Sequence, residues 1–428
     1  MRLLHLYGLA LLGCLMVSAV EAADSMDGGA RSATPPDSAP NNLAAFVHKV
    51  LDENPAWQAA RSAVAAAQAR ARAAGRPLYN PTLEIEAENS DSNTASLGIS
   101  QTVDWSNKRG AQRDMATFEA QAVHFELAAT RVELSAALLA ALGRYHSAAA
   151  KDQMARQRSQ LMQRFLDLAE KRQKAGDLNQ VELELARLAH TQALLEQARA
   201  SAAQSDAEQG LIAISGAPPP RGWPKLPAAL PSPAPFATQT LLDRLPAVQA
   251  QRARIAAADA QVTLRQRNQR ADPSLGLRGG REESEALVGL TLSIPLFVRN
   301  NFSAETEAAS AELSEAQLGG QDAYRRARAQ LHAAAARYRL THDAWGIWTQ
   351  SGQTNLSSRT ALLERLWQAG EFGTADYLLQ LNQTLDTQKS ALELQADLWL
   401  SWIDWLTASG QILNWLNEST HRLGEQQQ

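Results

Sequence analysis

A chain of 428 residues is long enough for two or three ordinary domains. Its formal net charge of −4 is small for that length, so the charge predicts no attraction to nucleic acid or to a membrane surface. Alanine, leucine, glutamine, glutamate and arginine dominate while glycine is modest at 24 residues, which favours long helices over a compact α/β domain.

The first residues have the layout of a secretory signal peptide. Arg2 precedes an apolar run that continues to Val20, and Val20-Glu21-Ala22 fits a signal peptidase site, so residues 1–22 are predicted to be removed. An alternative remains open, because Leu11-Leu12-Gly13-Cys14 resembles a lipoprotein box in which Cys14 would carry the lipid. With cleavage after Ala22 the mature chain has no cysteine and enters an oxidising compartment without disulfides. No later run of about twenty apolar residues follows, so any membrane span would have to consist of strands.

The next stretch changes from a helical to a strand pattern. A helix is predicted from Asn41 to about Gly75, bent or broken at Pro55, because proline lacks a backbone donor. Beyond Pro81, apolar and polar residues alternate over 82–88 and 96–104, which predicts a β-hairpin with one apolar and one polar face. The apolar side carries Leu83, Ile85, Ala87, Leu97, Ile99 and Val103, and the polar side carries Glu84, Glu86 and Glu88.

The longest helical stretch runs from Lys108 to about Lys174 without a proline. As a helix it would be about 100 Å long, far longer than helices of globular domains. Gly176 follows, and glycine can end a helix in a left-handed cap without steric cost. Asn179 is suited to cap a second helix, which continues to Ser215. The pattern therefore predicts a long antiparallel helical hairpin with its tip near residue 176.

The second half of the chain repeats the first. Residues 23–216 form the first repeat, 217–237 a Pro-rich connector, 238–417 the second repeat with its tip near 370, and 418–428 a polar tail. The second repeat is predicted to hold a second pair of strands and a helix from about Asn301 to Trp367. A return helix follows near Thr374, whose side chain is suited to cap it. The tips Gly176 and Gly370 lie 194 residues apart (370 − 176), and the helix ends Gly216 and Gly410 lie at the same interval (410 − 216). The Pro55 and Pro246 landmarks differ by 191 (246 − 55), so the shared spacing indicates a duplication.

Four amphipathic strands are too few to close on themselves, since about eight are needed to enclose even a filled interior. Their apolar faces and open edges nevertheless need partners. Three copies would supply twelve strands, enough to close a pore in an outer membrane, and twelve helical rods, enough to form a hollow tube. We therefore infer a cyclic homotrimer.

This layout resembles the TolC-type outer-membrane efflux duct family over nearly all of the mature chain. The most specific pieces are Ile294-Pro295-Leu296-Phe297 ahead of a helix, the duplicated Ala-Gly tips, and the helix endings before Gly216 and Gly410. Within that family the chain is most similar to the heavy-metal (cobalt–zinc–cadmium) efflux branch. The supporting segments are residues 80–89, Ser100-Gln101 with Lys108-Arg109 behind it, and residues 295–300.

The resemblance implies a mainly α fold with a small β part, assembled as a homotrimer with a 12-stranded outer-membrane barrel and a periplasmic α-helical tunnel. It implies outer-membrane lipid around the barrel, and a periplasmic adaptor docked at the tunnel tip and bound to a proton-driven inner-membrane pump of the resistance–nodulation–division type. Asp376 matches a position whose carboxylates ring the tunnel mouth, although Leu379 and Phe372 replace two other residues of that gating network. The segments implied to contact the adaptor contain Gly176, Asp177, Val181, Glu182, Leu183, Gly370, Glu371, Thr374 and Leu378.

Several of these residues also allow a second interpretation. Glu84, Glu86 and Glu88 would line the lumen of a membrane barrel, but could equally form an exposed sheet face of a soluble protein. Asp376 by itself would be an ordinary solvated carboxylate. Trp399, Trp402 and Trp405, spaced three apart, are interpreted as packing between helices or subunits.

The sequence shows no motif that supports an enzyme. The eight histidines form no His-x3-His or Cys/His cluster, so no metal site and no cofactor are expected, and no phosphate loop or catalytic triad is found. The alternative functional class is a soluble periplasmic coiled-coil scaffold. Within the duct class, the alternative cargo is drugs, organic solutes or a secreted polypeptide instead of metal ions.

Overall fold

The structure is a computed structural model that describes residues 39–89, 93–220, 222–351 and 353–416. The predicted signal peptide with Cys14, the predicted tail at 418–428 and most of the turn between the first two strands lie outside these residues. The helices are α1 (Asn41–Glu53), α2 (Pro55–Ala74), α3 (Lys108–Ala175), α4 (Gln180–Ser215), α5 (Thr238–Arg244), α6 (Pro246–Asn268), α7 (Ser303–Ser351), α8 (Gln353–Gln368) and α9 (Thr374–Ala408). The strands are β1 (Thr82–Asn89), β2 (Asn93–Thr102), β3 (Ser274–Glu282) and β4 (Glu285–Ser293).

The break predicted at Pro55 is confirmed and has a local cause. Asn54 stands between α1 and α2, and its side-chain oxygen accepts a hydrogen bond from the Ala56 backbone N–H at 2.9 Å. Pro55 occupies the first helical position, where its missing N–H costs nothing. The Asn54 amide also donates to the Ile214 carbonyl at 3.1 Å, which ties this corner to the end of α4.

Helix α3 is the spine of the molecule. Its 68 residues correspond to a rod of about 100 Å, and it packs along α2, α4, α6 and α9. In the second repeat, where one helix was predicted over 301–367, the described helical residues are those of α7 and α8, which lie on either side of residue 352, outside the described part. Within the described residues no helix is both long enough and apolar enough to cross a membrane.

All four described strands form one antiparallel sheet in the order β1-β2-β3-β4. The two hairpins, one from each repeat, join into this one sheet because β2 pairs directly with β3 over nine residue pairs, from Thr94–Glu282 to Thr102–Ser274. Pairing β2 with β3 satisfies two edges that separate hairpins would leave open. Strands β1 and β4 remain as the outer edges of the sheet.

The register sorts side chains into an apolar and a polar face. One cross-strand row consists of Leu83, Ile99, Leu277 and Leu290, and the next of Ile85, Leu97, Gly279 and Val288. The large residues of these rows are exposed, with Leu290 at 87%. The face alternation predicted for the first hairpin is therefore confirmed, and the apolar face is left without cover by the chain itself.

A tryptophan cluster packs α9 against the middle of α3. Trp399 and Trp402 are buried, and Trp405 stacks on Trp402 with ring centroids 5.1 Å apart. The Trp399 indole N–H donates to the Leu139 carbonyl of α3 at 2.9 Å. Glycine at 143 makes room for this ring, because a Cβ there would lie 2.5 Å from Trp399 Nε1. The prediction that these tryptophans pack between helices is confirmed, within one subunit.

A buried ion pair joins the sheet to the helices and the first repeat to the second. Lys108 Nζ, at the start of α3, lies 2.9 Å from Asp272 Oδ2, just ahead of β3. The Tyr79 hydroxyl donates to the same carboxylate at 2.8 Å, and Lys108 also donates to the Arg270 carbonyl at 2.7 Å. The lysine and aspartate side chains are 11% and 4% exposed, so the ion pair is shielded from water.

Candidate functional site

The first tip is a helix end followed by a tightly capped helix start. Gly176 adopts a left-handed conformation with φ of 86°, and the N–H of Asp177 donates to the Arg172 carbonyl at 2.9 Å. Asn179 then caps α4 in a reciprocal arrangement with Glu182: the Asn179 side chain accepts from the Glu182 N–H at 2.9 Å, and the Glu182 side chain accepts from the Asn179 N–H. The predicted turn and cap are confirmed.

The second tip is built differently. Gly370 is also left-handed, with φ of 79°, and the N–H of Glu371 donates to the Leu366 carbonyl at 3.0 Å. The prediction of Thr374 as the helix cap is wrong, because Gly373 holds the cap position and makes no side-chain cap bond. Thr374 is instead the first residue of α9, buried under Trp367, whose indole N–H points at its hydroxyl at 3.5 Å.

An aromatic cluster packs the two tips against each other within one chain. The Phe165 ring on α3 lies 4.4 Å from that of Trp367 and 5.1 Å from that of Tyr377, between centroids. Trp367 and Tyr377 stack at 5.4 Å. Burial raises the pKa of the Tyr377 hydroxyl, so this side chain stays neutral. The contacts between these rings were not predicted from the sequence, although Trp367 and Tyr377 lie on either side of the second tip.

Arg172 connects the first tip to the second. Its guanidinium lies over the Trp367 ring, 5.4 Å from the centroid, and its Nη1 donates to the Trp367 backbone carbonyl at 3.1 Å. The Trp367 carbonyl, near the end of α8, also accepts from the Gly370 N–H at 3.0 Å, so Arg172 adds a second donor to it. Sequence reasoning missed this residue, because it looks like one of several solvated cations at the end of α3.

The predicted tip residues divide by exposure. Gly176, Asp177, Gly370, Glu371 and Asp376 are exposed, Val181 is 70% exposed, and Glu182 and Leu378 are partly buried. Leu183 and Thr374, at 4% and 1%, lie inside the aromatic and aliphatic core of the tip. The structure thus brings both predicted segments to one end of the helical bundle.

The polar face of the sheet carries the three predicted glutamates. The Ser100 hydroxyl donates to Glu84 at 2.7 Å, and the Ser96 hydroxyl donates to Glu86 at 3.3 Å. An arginine of the second repeat, Arg278, also reaches Glu86, with Nη1 to Oε2 at 3.3 Å. This cation was absent from the sequence-based picture, because it becomes a neighbour of Glu86 only through the β2–β3 pairing.

Midway along the bundle, polar side chains cross-link three helices. Arg158 on α3 is buried and donates to Glu196 on α4 at 2.5 Å and to Asn382 on α9 at 2.9 Å. It borders a groove of about 660 Å³ between these helices. Among the described residues, no group of three or more His, Cys, Asp or Glu is arranged to hold a metal ion.

Comparison with known proteins finds similarities in sequence and in fold. Residues 46–217, which run from α1 to just past the end of α4, match the outer membrane efflux protein family. The second half repeats the same succession of elements and completes the same sheet. Over residues 46–217 the chain is similar to the outer membrane efflux protein family.

One relative in sequence and several solved structures are similar to this chain. The chain is 26% identical over 235 residues to the cobalt-zinc-cadmium resistance protein CzcC of Cupriavidus metallidurans, covering 53% of this chain and 56% of that protein, so the match spans about half of the relative's length. The fold is similar to CusC (TM-score 0.72, 18% identity, 90% of this chain and 95% of that chain). It is also similar to VceC of Vibrio cholerae (TM-score 0.72, 20% identity, 86% and 96%) and to the MtrE channel of Neisseria gonorrhoeae (TM-score 0.70, 17% identity, 94% and 99%).

Proposed function

We propose that this protein is the outer-membrane exit duct of a tripartite, proton-driven efflux system that exports divalent heavy-metal cations. The observation that carries the proposal is the sheet: one face has two neighbouring rows of exposed apolar side chains, the other carries the glutamates of β1, and both edges are open. An apolar face of this kind suits the hydrocarbon core of a membrane, while the polar face suits a water-filled lumen.

The open edges specify how the duct would close. Strand β1 of one subunit pairs with β4 of the next, so that three four-stranded sheets form a twelve-stranded barrel with no unpaired edge. The long helices below each sheet then form the wall of a periplasmic tunnel. In a homotrimer one three-fold axis pairs the open edges of the sheets and also gives each long α3 helix neighbours in the tunnel wall.

The exposed tip residues form the docking surface for a periplasmic adaptor in this proposal. Val181, Asp177 and Glu371 offer apolar and acidic contacts at the end of the bundle. Buried Leu183 and Thr374 support that surface from beneath instead of touching the partner. Asp376, exposed in the first turn of α9, is the gate candidate, since three symmetry copies near an axis would repel each other and attract cations.

The cargo is proposed from the relative that the sequence matches, since CzcC is a cobalt-zinc-cadmium resistance protein. A conduit needs no metal ligands of its own, because the choice of substrate belongs largely to the inner-membrane pump with which the adaptor connects it. The polar sheet face, with three glutamates in β1, is compatible with the passage of cations.

The proposal is tested on the chain purified from outer membranes in detergent. Its mass should correspond to three copies, and in a planar bilayer it should form discrete channels. A soluble monomer that never conducts would contradict the duct and favour a periplasmic scaffold.

Cargo is tested separately in cells that lack the gene. Such cells should accumulate zinc, cobalt or cadmium and become sensitive to these ions, with unchanged sensitivity to organic drugs and dyes. Drug sensitivity without metal sensitivity would assign the duct to organic solutes.

A further inference from the structure

Arg278 is a positively charged residue on the polar face of the sheet. It lies in the cross-strand row Glu84–Gly98–Arg278–Gly289, so it shares this face with the glutamates of β1. Its guanidinium is 3.3 Å from Glu86, and the two side chains are 47% and 53% exposed. The pair therefore joins β1 to β3 across β2 and remains in contact with the space that the sheet faces.

Glycines on both sides leave room for the arginine. A Cβ at Gly98 would lie 3.3 Å from Arg278 Cβ, and a Cβ at Gly289 would lie 3.1 Å from Arg278 Cγ. The two neighbours of Arg278 in its row therefore have no side chains that could cover or displace it. The arginine side chain therefore lies directly over the sheet backbone at these two glycines.

Among the described strand residues, the other charged side chains of this face are carboxylates. By register, the carboxylates on the polar face are Glu84, Glu86, Glu88, Glu282 and Glu285. Within the described strand residues, Arg278 is the one cation that shares this face. Arg281, three residues later in the same strand, belongs to the opposite face, in the row with Ala87, Ala95 and Ala286.

We propose that Arg278 is a specificity-determining residue of the conduit: it sets a positive ring in the lumen that limits the preference for cations created by the glutamates. The inference rests on the proposed function, because only a closed trimer turns the polar face into a lumen. Three copies of Arg278 at one level, facing a water-filled space between low-dielectric walls, act on every passing ion. Glu86 is the counter-charge that holds the guanidinium at this level.

The ion selectivity of purified channels in planar bilayers tests the proposal. With a tenfold KCl gradient, the reversal potential gives the ratio of potassium to chloride permeability. Arg278→Gln should raise this ratio about twofold or more, because the ring of positive charge is lost. Glu86→Gln should lower it, because a carboxylate is lost while the arginine remains. Arg281→Gln, which removes the same charge from the opposite face, should leave the ratio at the wild-type value.

Two results would overturn the inference, and they can be told apart. If the wild-type chain conducts as a trimer but Arg278→Gln and Arg281→Gln give the same ratio, Arg278 does not set selectivity and the duct stands. If the wild-type trimer does not conduct, the duct itself fails and the inference fails with it. Should Arg278→Gln not assemble, the Glu86→Gln channel decides alone: an unchanged ratio refutes the proposal, and a lowered ratio supports it.

Discussion

At the scale of single residues, the helical bundle depends on a few close fits between the two repeats. Gly143 on α3 and Trp399 on α9 are such a fit, because the indole ring occupies the space where any Cβ at 143 would project. The same ring makes its hydrogen bond to Leu139, one turn earlier on α3. Loss of the fit therefore removes a packing contact and a buried hydrogen bond together.

Gly143→Ala should destabilise the protein by about 3 kcal/mol, since overpacking forces Trp399 out of its site and leaves its N–H without a partner. Chemical unfolding followed by tryptophan fluorescence measures this loss. The matched control is Gly210→Ala on α4, where a Cβ meets nothing within 4 Å and should be neutral or slightly stabilising. Equal effects of the two substitutions would contradict the fit.

Tyr79 predicts an alkaline dependence of stability at the junction of sheet and helices. Burial, followed by its hydrogen bond to Asp272, raises the pKa of Tyr79 to about 12. The unfolded chain releases the same proton near pH 10, so the stabilisation from Tyr79 is complete below about pH 10 and is lost as the pH rises towards 12.

Tyr79→Phe should lower the free energy of unfolding at pH 7 by about 1 kcal/mol, because the hydrogen bond to Asp272 is lost. Between about pH 10 and 12 the variant should lose less stability than the wild type, since it has no phenol proton at this position to release. Urea unfolding at a series of pH values checks both expectations. Parallel pH profiles would show that Tyr79 does not contribute.

At the scale of elements, the two tips show what the sequence could and could not predict. Gly176, Gly370 and Asn179 were identified correctly because helix termination and capping depend on local backbone chemistry. Thr374 was assigned the wrong role because its burial under Trp367 is a tertiary contact that the local sequence does not reveal. Arg172 was missed for the same reason, since its partners are 195 residues away.

Arg172→Gln should loosen the second tip and leave the first intact. The variant loses the hydrogen bond to the Trp367 carbonyl and the contact over its ring, so amide hydrogen exchange should accelerate in residues 365–373. Lys174→Gln removes an exposed cation from the same turn of α3 and should exchange like the wild type. Faster exchange around Asn179 in Arg172→Gln would show that the two tips move as one unit instead.

At the scale of the whole molecule, strand number and helix length led to the prediction of a trimer, but they did not predict the order of the strands in the sheet. Alternation in each hairpin reveals which face is apolar, because the side-chain period of a strand is two. It does not reveal that β2 and β3 pair, since no local pattern encodes a partner so far along the chain. For this reason Glu84, Glu86 and Glu88 were identified, whereas Arg278, their neighbour in space, was not.

Leu290→Arg tests the assignment of the sheet faces in the assembled protein. A cation on the lipid side of a membrane strand costs about 2–4 kcal/mol near the centre of the bilayer, so the variant should be depleted from the outer-membrane fraction. Thr291→Arg places the same charge one residue later, on the polar face, and should reach the membrane at wild-type levels as a trimer on native gels. Equal depletion of both would contradict the assignment.

The pairing of β2 with β3 also has a consequence for the order of folding. Thr102 and Ser274 meet across this pair although 172 residues separate them, including both long helices of the first repeat. The first hairpin is therefore made well before its neighbour strand, and the β2 edge has no partner until β3 is available. Contacts this distant in sequence form late and slowly. The four-stranded sheet can be completed only after both halves of the chain have been made, so its assembly belongs to a late stage of folding.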